Sequence, residues 1–183
     1  APLQQSDSIE VEAIALACGE PPPFPWPLLA FFDRFPETVL QKPAALQTQL
    51  DAVTDADLII LAFPVWFLSP PPALTAFLQS PHAVRLLKNK PVITLIACRN
   101  MWVMAQEAVK KHLQRLQAQH CDHIVLNDQS GTFASFITTP RWLLTGKKNA
   151  FWGFPAAGVA NADIAAARRF GIVLAESLSA DLE

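Results

Sequence analysis

The chain of 183 residues is short of most features that announce a chemistry. Charge of one sign is not concentrated anywhere. Lys and Arg number 14 against 16 Asp and Glu, the formal net charge is −2, and the basic residues are scattered apart from the pairs Lys110-Lys111, Lys147-Lys148 and Arg168-Arg169. Gripping a nucleic-acid backbone takes a basic stripe, so nucleic acid is not an expected partner. Cysteine is scarce: Cys18, Cys98 and Cys121 are odd in number and lack the close spacing of a zinc site or a redox pair. Three reduced thiols in a cytoplasmic protein are expected, and no metal site. Apolar residues make up 51 %, yet every long apolar run is interrupted by proline or charge, which argues against a membrane-spanning helix. The chain opens Ala1-Pro2-Leu3, with neither an initiator Met nor the charged start and apolar middle of a signal peptide. We therefore expect residues upstream that were cut off or left out. No Ser-His-Asp or Cys-His arrangement can be assembled, since His82 and His112 fall on expected helices and His120 and His123 surround a strand start, where solvated or capping roles are expected. Internal repeats are lacking too. The length suits one domain, residues 1–183, with aromatic-rich insertions at about 20–37 and 132–156.

What is present is organised around DLIILAFPVWFLSPPP, residues 57–72. Its first half is uncharged after Asp57 and reads as a strand buried on both faces of a parallel sheet. Pro64 removes a backbone donor, and Pro70, Pro71 and Pro72 forbid both ladder pairing and a helix interior, so residues 65–69 form a loop at the strand's carboxyl end. Ligands of open α/β sheets bind at that end. Trp66 and Phe67 there either flank a flat ring or cap the core.

Residues 9–17 alternate Ile9, Val11 and Ala13 with Glu10 and Glu12, which predicts a strand. The proline tract 21–27 interleaves Phe24 and Trp26 and predicts an extended segment fixed over a core or pocket. Residues 28–35 predict two apolar helical turns, stopped by Pro36, and residues 44–53 a short helix. Helices follow over 73–78 and 80–87. Residues 92–97 form a second buried strand, ending in Cys98-Arg99-Asn100-Met101-Trp102. Apolar spacing then predicts a sheet-covering helix over 101–120, with Gln106, Lys110, Gln114 and Gln117 outside. Residues 123–127 are a further strand, with 128–131 as its carboxyl-end loop. The aromatic segment 133–152 suggests a lid packed on the body, basic residues beside its aromatics being compatible with a membrane surface. A last helix over 162–178, capped by Asn161, carries an apolar stripe of Ile164, Ala167, Phe170, Val173 and Leu174.

Strands alternating with helices give an α/β domain with a mainly parallel sheet and right-handed crossovers. Three stretches go further: DLIILAFPVWFLSPP from Asp57, KPVITLIACRNMW from Lys90 and FITTPRWLLTGKK from Phe136. With these, the chain resembles the dialkylresorcinol-condensing-enzyme-like group of flavodoxin-like proteins, relatives of the flavodoxins and NAD(P)H:quinone reductases.

The resemblance implies a three-layer flavodoxin-like sandwich with a five-stranded sheet in order 2-1-3-4-5. Its first strand is absent from this chain, together with the Ser/Thr-rich loop that holds the FMN phosphate. A fragment is expected rather than a member that has lost the phosphate site. The resemblance also implies FMN as cofactor, NAD(P)H as electron donor, and a possible homodimer. Carried over by position, Pro64, Val65, Trp66, Phe67 and Leu68 pack against the isoalloxazine, and Cys98, Arg99, Asn100, Met101 and Trp102 hold its edge. Arg99 is the candidate catalytic residue, neutralising charge on reduced flavin or orienting a carbonyl, against a structural ion pair. Trp26, Phe32, Phe136 and Trp142 are the candidate substrate pocket for a lipophilic carbonyl, quinone or aromatic-lipid precursor. Two alternatives stand beside this oxidoreductase: a flavin-free lipid-binding or partner subunit, and a cofactor-independent condensing enzyme using the Cys98 thiolate, for which a buried small hydrophobe is the plainer role.

Overall fold

The computed structural model describes residues 2–19, 23–42, 44–53, 55–128 and 132–180. Pro21 and Pro22 of the proline tract, Pro43, and residues 129–131 of the loop after the last strand lie outside the described residues. After a 3-10 turn over Leu3–Gln5, the chain forms helices α1 (Leu28–Asp33) and α2 (Phe35–Val39), strand β1 (Ile59–Pro64), helices α3 (Pro72–Leu78) and α4 (Pro81–Leu87), strand β2 (Pro91–Cys98), helix α5 (Val103–Arg115), strand β3 (Gln119–Asn127), and helices α6 (Thr132–Thr145), α7 (Asn161–Ala166) and α8 (Arg168–Ala180). The strands make one parallel sheet in the order β1-β2-β3, with helices on both sides. This is a flavodoxin-like α/β arrangement, and its strands are the three expected at 57–63, 92–97 and 123–127.

Because paired residues of parallel strands face the same way, the register sorts the sheet into two faces. Leu61 pairs with Thr94 and Phe63 with Ile96, and these four side chains, together with Val92, are buried. They form the core with Leu74, Phe77 and Leu78 of α3, Leu87 of α4, and Ala105, Val109 and Leu113 of α5. On the other face Ile93 is buried, whereas Ile60, Ala62, Pro64 and Ala97 are exposed. The crossovers through α3–α4 and through α5 therefore lay their apolar stripes on the same face, and that face holds the folding energy.

Local chemistry explains the element ends. Ser80 caps α4, accepting the Ala83 N–H at 3.4 Å and donating to the Phe77 carbonyl at 2.7 Å, with Pro81 in the first turn. Pro36 has no N–H to continue α1, so the chain turns at Arg34 and α2 begins afresh. Strand β3 starts four residues earlier than predicted because polar Gln119 to Asp122 pair at its exposed beginning, with the register slipping past Cys121 between the pairs Val92–His120 and Ile93–Asp122.

Several expectations are corrected. Residues 9–17 are not a strand. No described strand lies beside them to complete a ladder, and the segment is exposed apart from Ile9 and Leu16, with Leu16 packed on the core, Thr48 accepting the Ala17 N–H at 2.8 Å and an antiparallel bridge following between Cys18 and Leu46. The described part of 44–53 is not helical either. Its backbone is committed elsewhere: the Arg85 guanidinium donates to the Leu50 and Val53 carbonyls, and the Gln47 N–H to the Ala17 carbonyl at 2.9 Å. The helix predicted over 101–120 is shorter, ending at Arg115. The final helix is two, broken at Ala167, and begins one residue too early for Asn161 to cap it, Ala160 taking that place. Its stripe is not buried: α7 and α8 contain no buried residue, and α8 packs on the N-terminal 3-10 turn. Gln106 and His112, expected toward solvent, are both buried.

Candidate functional site

The carboxyl ends of the strands finish level, β1 with β2 at Pro64–Ala97 and β2 with β3 at Cys98–Asn127. The loops leaving this edge are therefore neighbours. After β1, Trp66 and Ser69 close a tight turn by exchanging N–H···O bonds of 3.0 and 2.8 Å. The two residues at its tip, Phe67 and Leu68, have φ of 48° and 61°. Turns with two positive φ values fit Asn-Gly, and bulky side chains sit in them under strain. Packing holds them there. Phe67 lies 4.9 Å from the Phe31 ring and 5.2 Å from Phe35, and Trp66 stands edge-on to Trp26 at 5.4 Å. Trp66 and Phe67 thus turn toward the aromatic segment rather than standing free, while Leu68 is exposed.

After β2, the Asp128 N–H donates to the Cys98 carbonyl at 3.1 Å, joining this loop to the end of β3, and the Asp128 carboxylate accepts the Gly158 N–H at 3.1 Å. The Arg99 guanidinium lies 5.0 Å over the Phe136 ring, and Trp102 stacks at 5.3 Å on His123. Asn100 and Met101 are exposed. Helix α5 starts here with no side-chain cap and no acid in its first turn, so the first free N–H groups, and the positive end of the helix, point to the same edge. By contrast α3 begins Pro71-Pro72, and prolines have no N–H to offer an anion. Burial pushes the Cys98 thiol above its ordinary value, the opposite of what a nucleophilic thiolate needs.

Behind this edge, Gln106 of α5 donates through Nε2 to Thr94 Oγ1 at 2.9 Å and to His120 Nε2 at 3.1 Å. Burial, then the nearby Lys110 and His123, lower the His120 pKa, which matches a neutral ring accepting at Nε2. From the sequence Gln106 is expected outside the helix and His120 in a solvated or capping role, because helix spacing alone cannot show that a glutamine faces a buried threonine.

Of the four candidate pocket residues, Trp26 is buried against Trp66 and Phe31, and its N–H donates to the Leu143 carbonyl at 2.8 Å. Trp142 sits edge-on to Phe24 at 6.4 Å with the Lys148 ammonium 5.2 Å over its ring. Phe136 lies beneath Arg99, and Phe32 is exposed beyond Phe31. The structure thus brings Trp26 to the loop after β1 and Phe136 to the loop after β2. A shallow depression of about 520 Å³ lined by Asp55, Arg85, Asn89 and Lys90 lies at the opposite, amino end of β2, where Lys90 pairs with Asp55 at 2.9 Å. Among the described residues no three His, Cys, Asp or Glu side chains gather as metal ligands, and no helix is long and apolar enough to cross a membrane.

Comparison with known proteins matches residues 2–132 to the family described as NADPH-dependent FMN reductase. No curated protein and no solved structure matches the chain. The matched residues include all three strands and both loops, 64–68 and 98–102. The chain therefore belongs to the NADPH-dependent FMN reductase family, within the flavodoxin-like class of FMN-dependent oxidoreductases.

Proposed function

We propose that this chain acts as an NAD(P)H-dependent, FMN-using oxidoreductase whose substrate is a lipophilic carbonyl, quinone or aromatic-lipid precursor. The observation that carries this reading is the family match across the three strands and the two loops that share their carboxyl edge. The residues present suit the ring end of FMN. Exposed Leu68, Asn100 and Met101 leave that edge open, the uncapped start of α5 supplies free N–H groups, and Arg99 is the cation beside them. Bound FMN supplies hydride chemistry. Arg99 and the α5 amino end favour negative charge at this edge, and the segment holding Trp26 and Phe31 keeps water from one side of it. The phosphate end has no counterpart in α3, which is preceded by Pro71 and opens on Pro72.

The lipophilic substrate rests on the aromatic packing of Trp26, Phe31, Trp66 and Phe67 around the loop after β1. The test is titration with FMN followed by flavin fluorescence, together with FMN-dependent oxidation of NADPH. Saturable binding and turnover are expected, and Arg99→Ala should lower turnover by about a hundredfold at an unchanged thermal midpoint. Absence of both binding and turnover overturns the reading. A co-purifying lipid in flavin-free protein would then support a lipid-binding subunit, which exposed Leu28, Leu29 and Phe32 on α1 favour.

A further inference from the structure

Beyond the family match, which ends at residue 132, lies a surface that the reductase reading touches only at Phe136, beneath Arg99. Phe151 and Phe154 exchange N–H···O bonds of 3.1 and 2.8 Å and close a two-residue turn with Trp152 and Gly153 at its tip. Both tip residues have positive φ, 46° and 81°. Gly153 suits that conformation, whereas Trp152 adopts it at a cost and is 94 % exposed. The turn is rigidly mounted. Arg141 of α6 donates to the Lys147 and Asn149 carbonyls at 3.0 and 2.8 Å and stacks 4.0 Å over the Phe151 ring.

Helix α6 beside it is inside out. Ser135 and Thr138, three residues apart, are buried, while Phe133 and Phe136 at the same spacing are 75 and 65 % exposed. Phe133 reaches the turn through Phe154, ring centres 6.5 Å apart. The charge of this region has one sign: between Asp128 and Asp163 the chain contains Arg141, Lys147 and Lys148 and no acid, in a protein of net charge −2. Exposed aromatic rings among cations, with no acid along the segment, are complementary to an apolar layer under an anionic surface. A membrane fits an exposed indole at a turn tip, in a segment whose own charges are all basic, better than a folded protein partner does.

We infer that the Trp152 turn and the exposed side of α6 dock this protein on anionic phospholipid membranes, with Trp152 entering the headgroup boundary and Lys147 and Lys148 facing lipid phosphates. This does not depend on the proposed oxidoreductase activity, because the readout is vesicle binding.

The experiment floats the full chain with phosphatidylcholine vesicles made with and without phosphatidylglycerol, at low and raised ionic strength. Binding is expected only to the anionic vesicles, reversed by salt and not competed by inorganic phosphate. Trp152→Asn places Asn-Gly, the pair this turn prefers, at the tip, so the fold and thermal midpoint should hold while partitioning falls about tenfold. Lys147→Gln with Lys148→Gln should weaken binding to anionic vesicles by about 30-fold. Failure to float with anionic vesicles, binding of Trp152→Asn at the unsubstituted level, or competition by inorganic phosphate would overturn the inference.

Discussion

At the scale of single residues, the site edge combines strain with restraint. Leu68 occupies a left-handed conformation in an exposed position, so its side chain loses little packing on removal while its backbone would be relieved. Leu68→Gly should stabilise the protein by about 1 kcal/mol, read from the midpoint of urea unfolding at constant slope. Cys98 was legible as a strand-end residue from its place after VITLIA, but its sequence could not say that burial raises its pKa. A thiol so placed should react slowly with iodoacetamide near neutral pH, and Cys98→Ala should leave FMN-dependent NADPH oxidation unchanged. A fast-reacting thiol, or lost activity in that variant, would revive a nucleophilic role for Cys98.

Elements were read from the sequence best where pattern and punctuation agree. The strands at 59–64 and 91–98 are apolar runs ended by Pro64 and by Cys98-Arg99-Asn100, and helices α3 and α4 start at prolines, so each has a local cause. Helix α5 was recognised from its apolar spacing, but its end was placed too late because the stop is made by backbone alone. Gln117 adopts φ of 57°, its N–H donates to the Gln114 carbonyl at 3.1 Å, and the Ala118 N–H to the Leu113 carbonyl at 2.9 Å. Glycine is the usual residue at such a helix end. Gln117→Gly should therefore raise stability by about 0.5–1 kcal/mol in chemical denaturation. Leu113→Ala in the same helix, from a fully buried position, should lower it by about 2–5 kcal/mol. The segments misread as regular, 9–17 and 44–53, have suitable local patterns, but no described strand pairs with the first, and the backbone of the second bonds instead to Arg85 and Ala17.

For the molecule as a whole, two histidines, buried His112 and half-buried His120, link stability to pH. The Arg115 guanidinium donates to His112 Nδ1 at 2.9 Å, leaving Nε2–H to donate to Gln41 Oε1 at 2.9 Å, and His120 accepts from Gln106. Both are neutral arrangements, and burial first, then neighbouring cations, lower both pKa values below the usual 6.5. As pH falls below 6.5 the unfolded chain takes up protons that the folded chain refuses, so stability decreases until the lowered folded values are passed, and it is unaffected by these groups at higher pH. Urea unfolding on either side of pH 6.5 should show this fall, and His112→Asn with His120→Asn should flatten it.

The sequence by itself determined the α/β class, the parallel strands and the loops at their carboxyl ends, because alternating apolar runs, proline stops and helical spacing act over a few residues. Only the tertiary structure decided which patterns become elements, that Trp66 and Phe67 turn onto Trp26 and Phe31, that Gln106 points inward to Thr94 and His120, and that Trp152 stands out at the tip of its turn. Each of these depends on which partner lies across a gap of many residues, and a hydrogen bond or a buried ring is stable only when that partner is in place.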